Sequence, residues 1–138
     1  MIAGKPEIRD MLPQGESMIM IDAITSYTEN TVTTSFEITP SCFFVENGKL
    51  STEGMIENMA QTAIAGSFTK KKQQSKPVNA FIGAITRLNV TAYARQGSTI
   101  HTKIEQKTNL GNMFLVAGTI LLNETSIATC DLKIVFGN

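Results

Sequence analysis

Residues 51 to 68 read STEGMIENMAQTAIAGSF, and no other stretch limits the possible folds so strongly. Met55, Ile56, Met59, Ala60, Ala63, Ile64 and Phe68 recur at helical spacing, while Ala65 and Gly66 keep the remaining surface small. Ser51 or Thr52 is the expected N-cap. Glu53 falls in the positive first turn, and Lys70, Lys71 and Lys72 fall at the negative end. A helix this apolar cannot be served by a flat sheet, which covers one stripe and leaves the rest wet. The sheet has to curl around it.

The rest of the chain supplies strands for that purpose. Residues 18 to 27, MIMIDAITSY, open as a continuous apolar run and predict a strand buried on both faces at its start. Residues 31 to 39 alternate, with Val32, Thr34, Phe36 and Ile38 on one face, and Glu29-Asn30 provides the turn between the two strands. After the helix come segments 79 to 94, 98 to 109, 112 to 122 and 126 to 136, broken near Gln96-Gly97, Gly111-Asn112 and Asn123-Glu124. Short turns predict a meander of antiparallel neighbours. In the last segment Ala128, Cys130, Leu132, Ile134 and Phe136 share a face opposite Thr129, Asp131 and Lys133. The expectation is α+β: a hotdog fold, one long central helix wrapped by a curved antiparallel sheet of about five or six strands. Residues 1 to 138 form one domain. A half-wrapped helix invites further cover from a second chain, so a dimer is expected.

Composition excludes more than it selects. Twelve basic and twelve acidic residues cancel, leaving no field to attract nucleic acid or an anionic membrane. The lysine run at 70 to 72 is a helix end merging into the solvated stretch QQSKP, with no stacking aromatics beside it. Cys42 and Cys130 match no zinc or redox spacing, and suit free thiols in a reducing cytosol better than a secreted disulfide framework. Lys5, Glu7, Arg9 and Asp10 interrupt the start of the chain, so it offers no signal-peptide h-region, and no stretch nears the roughly 18 apolar residues of a membrane span. A cytoplasmic location is expected. No phosphate loop, Cys/His cluster or serine elbow is present, so neither a cofactor nor a metal is expected.

The order of several short elements, from Leu12 to Phe136, resembles the hotdog-fold 3-hydroxyacyl-acyl carrier protein dehydratases. They are LPQGESMIMID with Leu12, Pro13 and Asp22; the pair Phe43-Phe44; the helix pattern Glu57, Ala60, Gln61; and the strand start Phe81, Gly83. The resemblance implies a carboxylic acid at Glu57 that donates a proton to the departing 3-hydroxyl, in an acyl tunnel completed at a dimer interface. A carboxyl group among apolar side chains is held in the neutral form that can donate, and Met55, Ile56 and Met59 flank Glu57. Glu53, one turn earlier, either joins it in the site or complements the helix dipole from solvent. The resemblance further implies substrate contacts from Phe43, Phe44, Thr52, Gln61, Phe81 and Gly83, and from the amides of the helix start near Thr52 and Glu53.

The chain departs from that family where the catalytic histidine should stand. The loop reads FFVENGKLSTEG, shorter than in the family, with Asn47 as nearest counterpart to the base, and an amide cannot accept a proton at neutral pH. Gln14 also stands where relatives often carry histidine. His101, the only histidine, alternates with Ile100, Thr102 and Ile104 and so belongs to a polar, outward face. The shortened loop and GKLSTEGMIENMAQ are similar to divergent dehydratase-like proteins of aryl-polyene synthesis. A chain with the acid and no base could complete one site by pairing with a histidine-bearing paralogue. The implied partners are an acyl thioester on a carrier protein or coenzyme A, and a second subunit, like or unlike. Two alternatives stay open: an acyl-thioesterase using a single helix carboxylate, and a non-catalytic acyl-binding subunit. The methionines, Met18, Met20, Met55 and Met59 among them, serve either a tunnel or ordinary core packing.

Overall fold

The chain is described by a computed structural model covering residues 3–5, 8, 18–70 and 80–137, with residues 67–70 described by their backbone. Leu12, Pro13, Gln14, Lys71, Lys72 and the QQSKP stretch lie outside the described residues.

The helix α1 (Thr52–Lys70) is where the sequence places it. Ser51 is its N-cap: the Oγ accepts from the Gly54 amide at 3.1 Å, and the Ser51 carbonyl accepts from the Met55 amide at 3.0 Å. From Asn58 to Gly66 every side chain is buried. Six strands provide the cover. In chain order they are β1 (Ala23–Tyr27) and β2 (Thr31–Glu37) before the helix, then β5 (Ala80–Val90), β6 (Thr99–Leu110), β7 (Met113–Leu122) and β8 (Thr125–Phe136) after it. A small hairpin, β3 (Val45–Glu46) and β4 (Lys49–Leu50), precedes the helix and forms a sheet of its own. The large sheet runs β1-β2-β6-β7-β8-β5, antiparallel throughout, and the helix touches all six strands. This is the expected hotdog arrangement.

Close approach makes the wrap possible. A Cβ at Gly118 in β7 would lie 2.6 Å from Sδ of Met59, so the helix lies directly against the middle of the sheet. Buried Ile100, Ile104, Phe114, Val116, Ile120, Leu132 and Ile134 line the concave side. In β8 the buried Ala128, Cys130, Leu132 and Ile134 alternate with half-buried Thr129, Asp131 and Lys133, as the pattern predicts. Both cysteines are free thiols, and burial, with Asp131 adding, pushes the Cys130 thiol above its ordinary pKa.

Two expectations need correction. The four late strands are not one meander: β6, β7 and β8 are, whereas β5 pairs with β8 at the far edge and β6 pairs with β2. The connection from Thr91 to Ser98 is no tight turn. Its backbone is tied to Ile127 of β8, to Leu50 of the hairpin and to Ile38 beyond β2, which carries the chain across the end of the sheet. The first strand also starts late, at Ala23 and not Met18, because the backbone of 18 to 20 bonds to helix side chains in place of a strand neighbour. No helix among the described residues is long and apolar enough to cross a membrane.

Gly118→Val forces new atoms into space within 2.6 Å of Met59, and we expect it to cost about 1–3 kcal/mol in a denaturant titration.

Candidate functional site

The start of α1 is built by the hairpin before it. Between β3 and β4 the chain turns through Asn47 and Gly48, both at positive φ (52° and 77°), the two-residue turn whose twist suits a hairpin. That turn accounts for asparagine at 47, since Asn tolerates the left-handed region better than most residues. Gly54 seats the helix on the hairpin: a Cβ there would lie 2.6 Å from Cδ1 of Leu50 and 2.7 Å from Cβ of Phe44. Phe44 is half-buried and meets the ring of Phe43 edge-on at 5.1 Å, while Phe43 itself is 69% exposed.

An open cavity of about 730 Å³, including its solvent-filled mouth, lies at this helix start. Glu46, Asn47, Lys49, Ser51, Thr52, Glu53 and Tyr93 are on its wall. The Thr52 hydroxyl shares a hydrogen bond of 2.9 Å with the Tyr93 hydroxyl. Tyr93, read from the sequence as part of the segment 79 to 94, instead stands in the crossing between β5 and β6, past the strand's end at Val90. Ser51 takes up the amide of Gly54, and the amides of Thr52 and Glu53 have no acceptor among the described residues. A helix start of this kind favours an anion or a polarised carbonyl.

One strip of the helix is incompletely covered. Thr52, Ile56 and Glu57 are half-buried and Glu53 is exposed, in contrast to the closed run from Asn58 onward. Glu53 complements the helix dipole from the surface. Glu57 stands one turn deeper, at the boundary between the open strip and the core. The edge strand β5 is similarly half-finished. Ile85 pairs with buried Leu132 and therefore faces the helix side, yet 42% of it is exposed. Phe81 pairs with Val135 on the outer face and is 56% exposed, and Gly83 lies over Val135 and Lys133 on that same outer face. Glu57, Glu53 and Thr52 thus share one strip, with Asn47 at the cavity rim. Phe81 and Gly83 are on the far side of the sheet.

Gln61 is fully buried, and both ends of its amide are committed. Its Oε1 accepts from the Met20 amide at 2.7 Å and its Nε2 donates to the Met18 carbonyl at 2.8 Å. His101 is exposed on the outer face, between Ser35 of β2 and Leu121 of β7, as its alternation predicts. Among the described residues no group of histidine, cysteine and acidic side chains is placed to hold a metal.

The family model for ApeP-like proteins, described as ApeP dehydratase, matches residues 6–137. The chain belongs to the ApeP-like family. The chain is similar in structure to the dehydratase heterocomplex ApeI:P from Xenorhabdus doucetiae, with a TM-score of 0.86 at 18% identity over 95% of this chain and 91% of that one. A homologue of HP0420 from Helicobacter felis matches with a TM-score of 0.71 at 11% identity, over 96% and 88% of the two chains. A candidate thioesterase from Ralstonia eutropha, a phenylacetic acid degradation-related protein, matches with a TM-score of 0.63 at 12% identity, over 82% and 83%. At these identities the structural matches show the fold, and the family match makes this ApeP-like chain dehydratase-like. Comparison with curated proteins gives no significant match.

Removing the cap tests how the ApeP-like helix start is held. Ser51→Ala leaves the Gly54 amide without its partner, and we expect a loss of about 1 kcal/mol and a melting temperature lower by about 4 °C in a calorimetric scan.

Proposed function

We propose that the chain is the acid-bearing subunit of a 3-hydroxyacyl-thioester dehydratase, acting on acyl groups held by a carrier protein in fatty-acid or polyene synthesis. Its partner is a histidine-bearing dehydratase subunit. The observation that carries this reading is that Glu57 sits on a strip of α1 that the sheet leaves open, and the edge strand β5 presents helix-side Ile85 to solvent. An edge strand with exposed apolar residues is a ready surface for pairing with another chain. The likeness to a dehydratase heterocomplex supports an unlike partner.

The chemistry divides between the subunits. A base takes the proton from C2, and its electron pair becomes the C2–C3 double bond as the C3–O bond breaks. The oxygen leaves as water after receiving the Glu57 proton. The thioester carbonyl accepts hydrogen bonds from the Thr52 and Glu53 amides at the helix start, which stabilises charge developing on that oxygen. The base comes from the partner, since the chain's single histidine, His101, lies on the outer face.

The test is to incubate the chain with 3-hydroxyacyl carrier thioesters, alone and mixed with a histidine-bearing dehydratase of the same organism, following loss of water by mass. Activity is expected only in the mixture. Glu57→Gln is expected to lower it by about 100-fold or more while the complex still forms. Thiol release from saturated thioesters by the chain alone, abolished by Glu57→Gln, would move the assignment to a thioesterase. Full activity of the mixture with Glu57→Gln would leave an acyl-binding role.

The pairing surface has its own check. Ile85→Lys places a charge on the exposed part of the helix-side face of edge strand β5, and we expect it to abolish the mixed complex in size-exclusion chromatography while the single chain keeps its circular dichroism spectrum.

A further inference from the structure

Hydrophobicity does not select which face of α1 turns toward the open strip. Apolar and small residues are spread nearly all round the helix, and Met55, Met59, Ala60, Ile64 and Ala65 are all buried although they point in different directions. Contacts of this kind are strong but nondirectional, so they tolerate rotation of a helix carrying many small residues. A rotation of about 100°, one residue's worth, would bring Glu57 to the place of Asn58 and bury it.

The directional contacts lie on one side of the helix and are all made by polar groups with no solvent exposure. Asn58 donates through Nδ2 to the Met20 carbonyl at 2.8 Å, and its Oδ1 accepts from the Thr102 hydroxyl of β6. Thr62 donates to the Asn58 carbonyl at 2.8 Å, so the 2.8 Å bond between the Thr62 and Thr34 hydroxyls is donated by Thr34 of β2. Gln61 takes the Met20 amide and the Met18 carbonyl, so two helix amides hold three backbone groups of residues 18 to 20. Any rotation of the helix would break several of these bonds at once and leave buried polar groups unpaired, each at a cost well above that of a single net hydrogen bond.

We infer that Asn58 and Gln61, with Thr102 and Thr34 behind them, are positioning residues that set the rotation of the helix and thereby hold Glu57 on the open strip. This rests on the reading of Glu57 as the proton donor. It also assigns Gln61 to the architecture beneath the site, with its amide spent on the backbone of 18 to 20.

The experiment compares Thr102→Val, which has the same shape and no hydroxyl, with Thr102→Ser, which keeps the hydroxyl. Each is measured in the mixed complex and by the carboxyl carbon resonance of Glu57 in the single labelled chain. We expect Thr102→Val to fold, to lower turnover at least tenfold with KM unchanged, and to shift the Glu57 resonance, while Thr102→Ser restores both. Asn58→Leu is the second variant and is expected to move the Glu57 resonance in the same sense. Turnover that falls only with the folded fraction, or a Glu57 resonance identical to wild type in Thr102→Val and Asn58→Leu, overturns the inference. If the wild-type mixture does not dehydrate, the proton-donor reading falls, and the Glu57 resonance alone decides whether the clamp orients this residue.

Discussion

Everything in this fold follows from burying one helix that is apolar on nearly every side. Water removal drives the process at roughly 25 cal/mol per Å² of apolar surface, and the small residues Ala60, Ala63, Ala65 and Gly66 let the sheet come close enough to exclude water. Contact between Met59 and Gly118 is the clearest mark of that closeness. The same demand explains why the sheet is curved, why all six strands touch the helix, and why the crossing from Thr91 to Ser98 is pinned at three places as it passes the end of the sheet.

A purely hydrophobic seat would leave the helix free to turn. The chain answers with a layer of buried polar side chains, Asn58, Gln61, Thr62, Thr34 and Thr102, each hydrogen-bonded to a partner in the protein. In a medium of low dielectric such bonds are costly to break singly, so the layer acts as a unit that chooses one orientation among several of similar apolar burial. The choice matters because the neighbour of Asn58 is Glu57, the carboxyl group proposed as the proton donor.

One strip of the helix stays open within one chain. Cover is complete from Asn58 to Gly66 and incomplete at Thr52, Glu53, Ile56 and Glu57, and the edge strand β5 leaves Ile85 partly in solvent. Membership of the ApeP-like family and likeness to a dehydratase heterocomplex fit a protein whose open strip is half of a cleft.

The sequence alone carried the helix, its cap region, the alternation of β2 and β8 and the outward place of His101, because each depends on local spacing. It also carried the curved sheet, since no other arrangement buries such a helix. Tertiary structure decided what local pattern cannot encode. The strand order placed β5 beside β8, because pairing across a long connection depends on where distant backbone groups find partners. The apolar run at 18 to 20 is no strand, because the amides of Asn58 and Gln61, about forty residues away, meet its backbone first. Gln61 and Asn47 also carry tasks that one dimension hides: the first holds the backbone of 18 to 20 and the second occupies a hairpin turn, because a side chain's task is set by the donors, acceptors and backbone that folding brings to it.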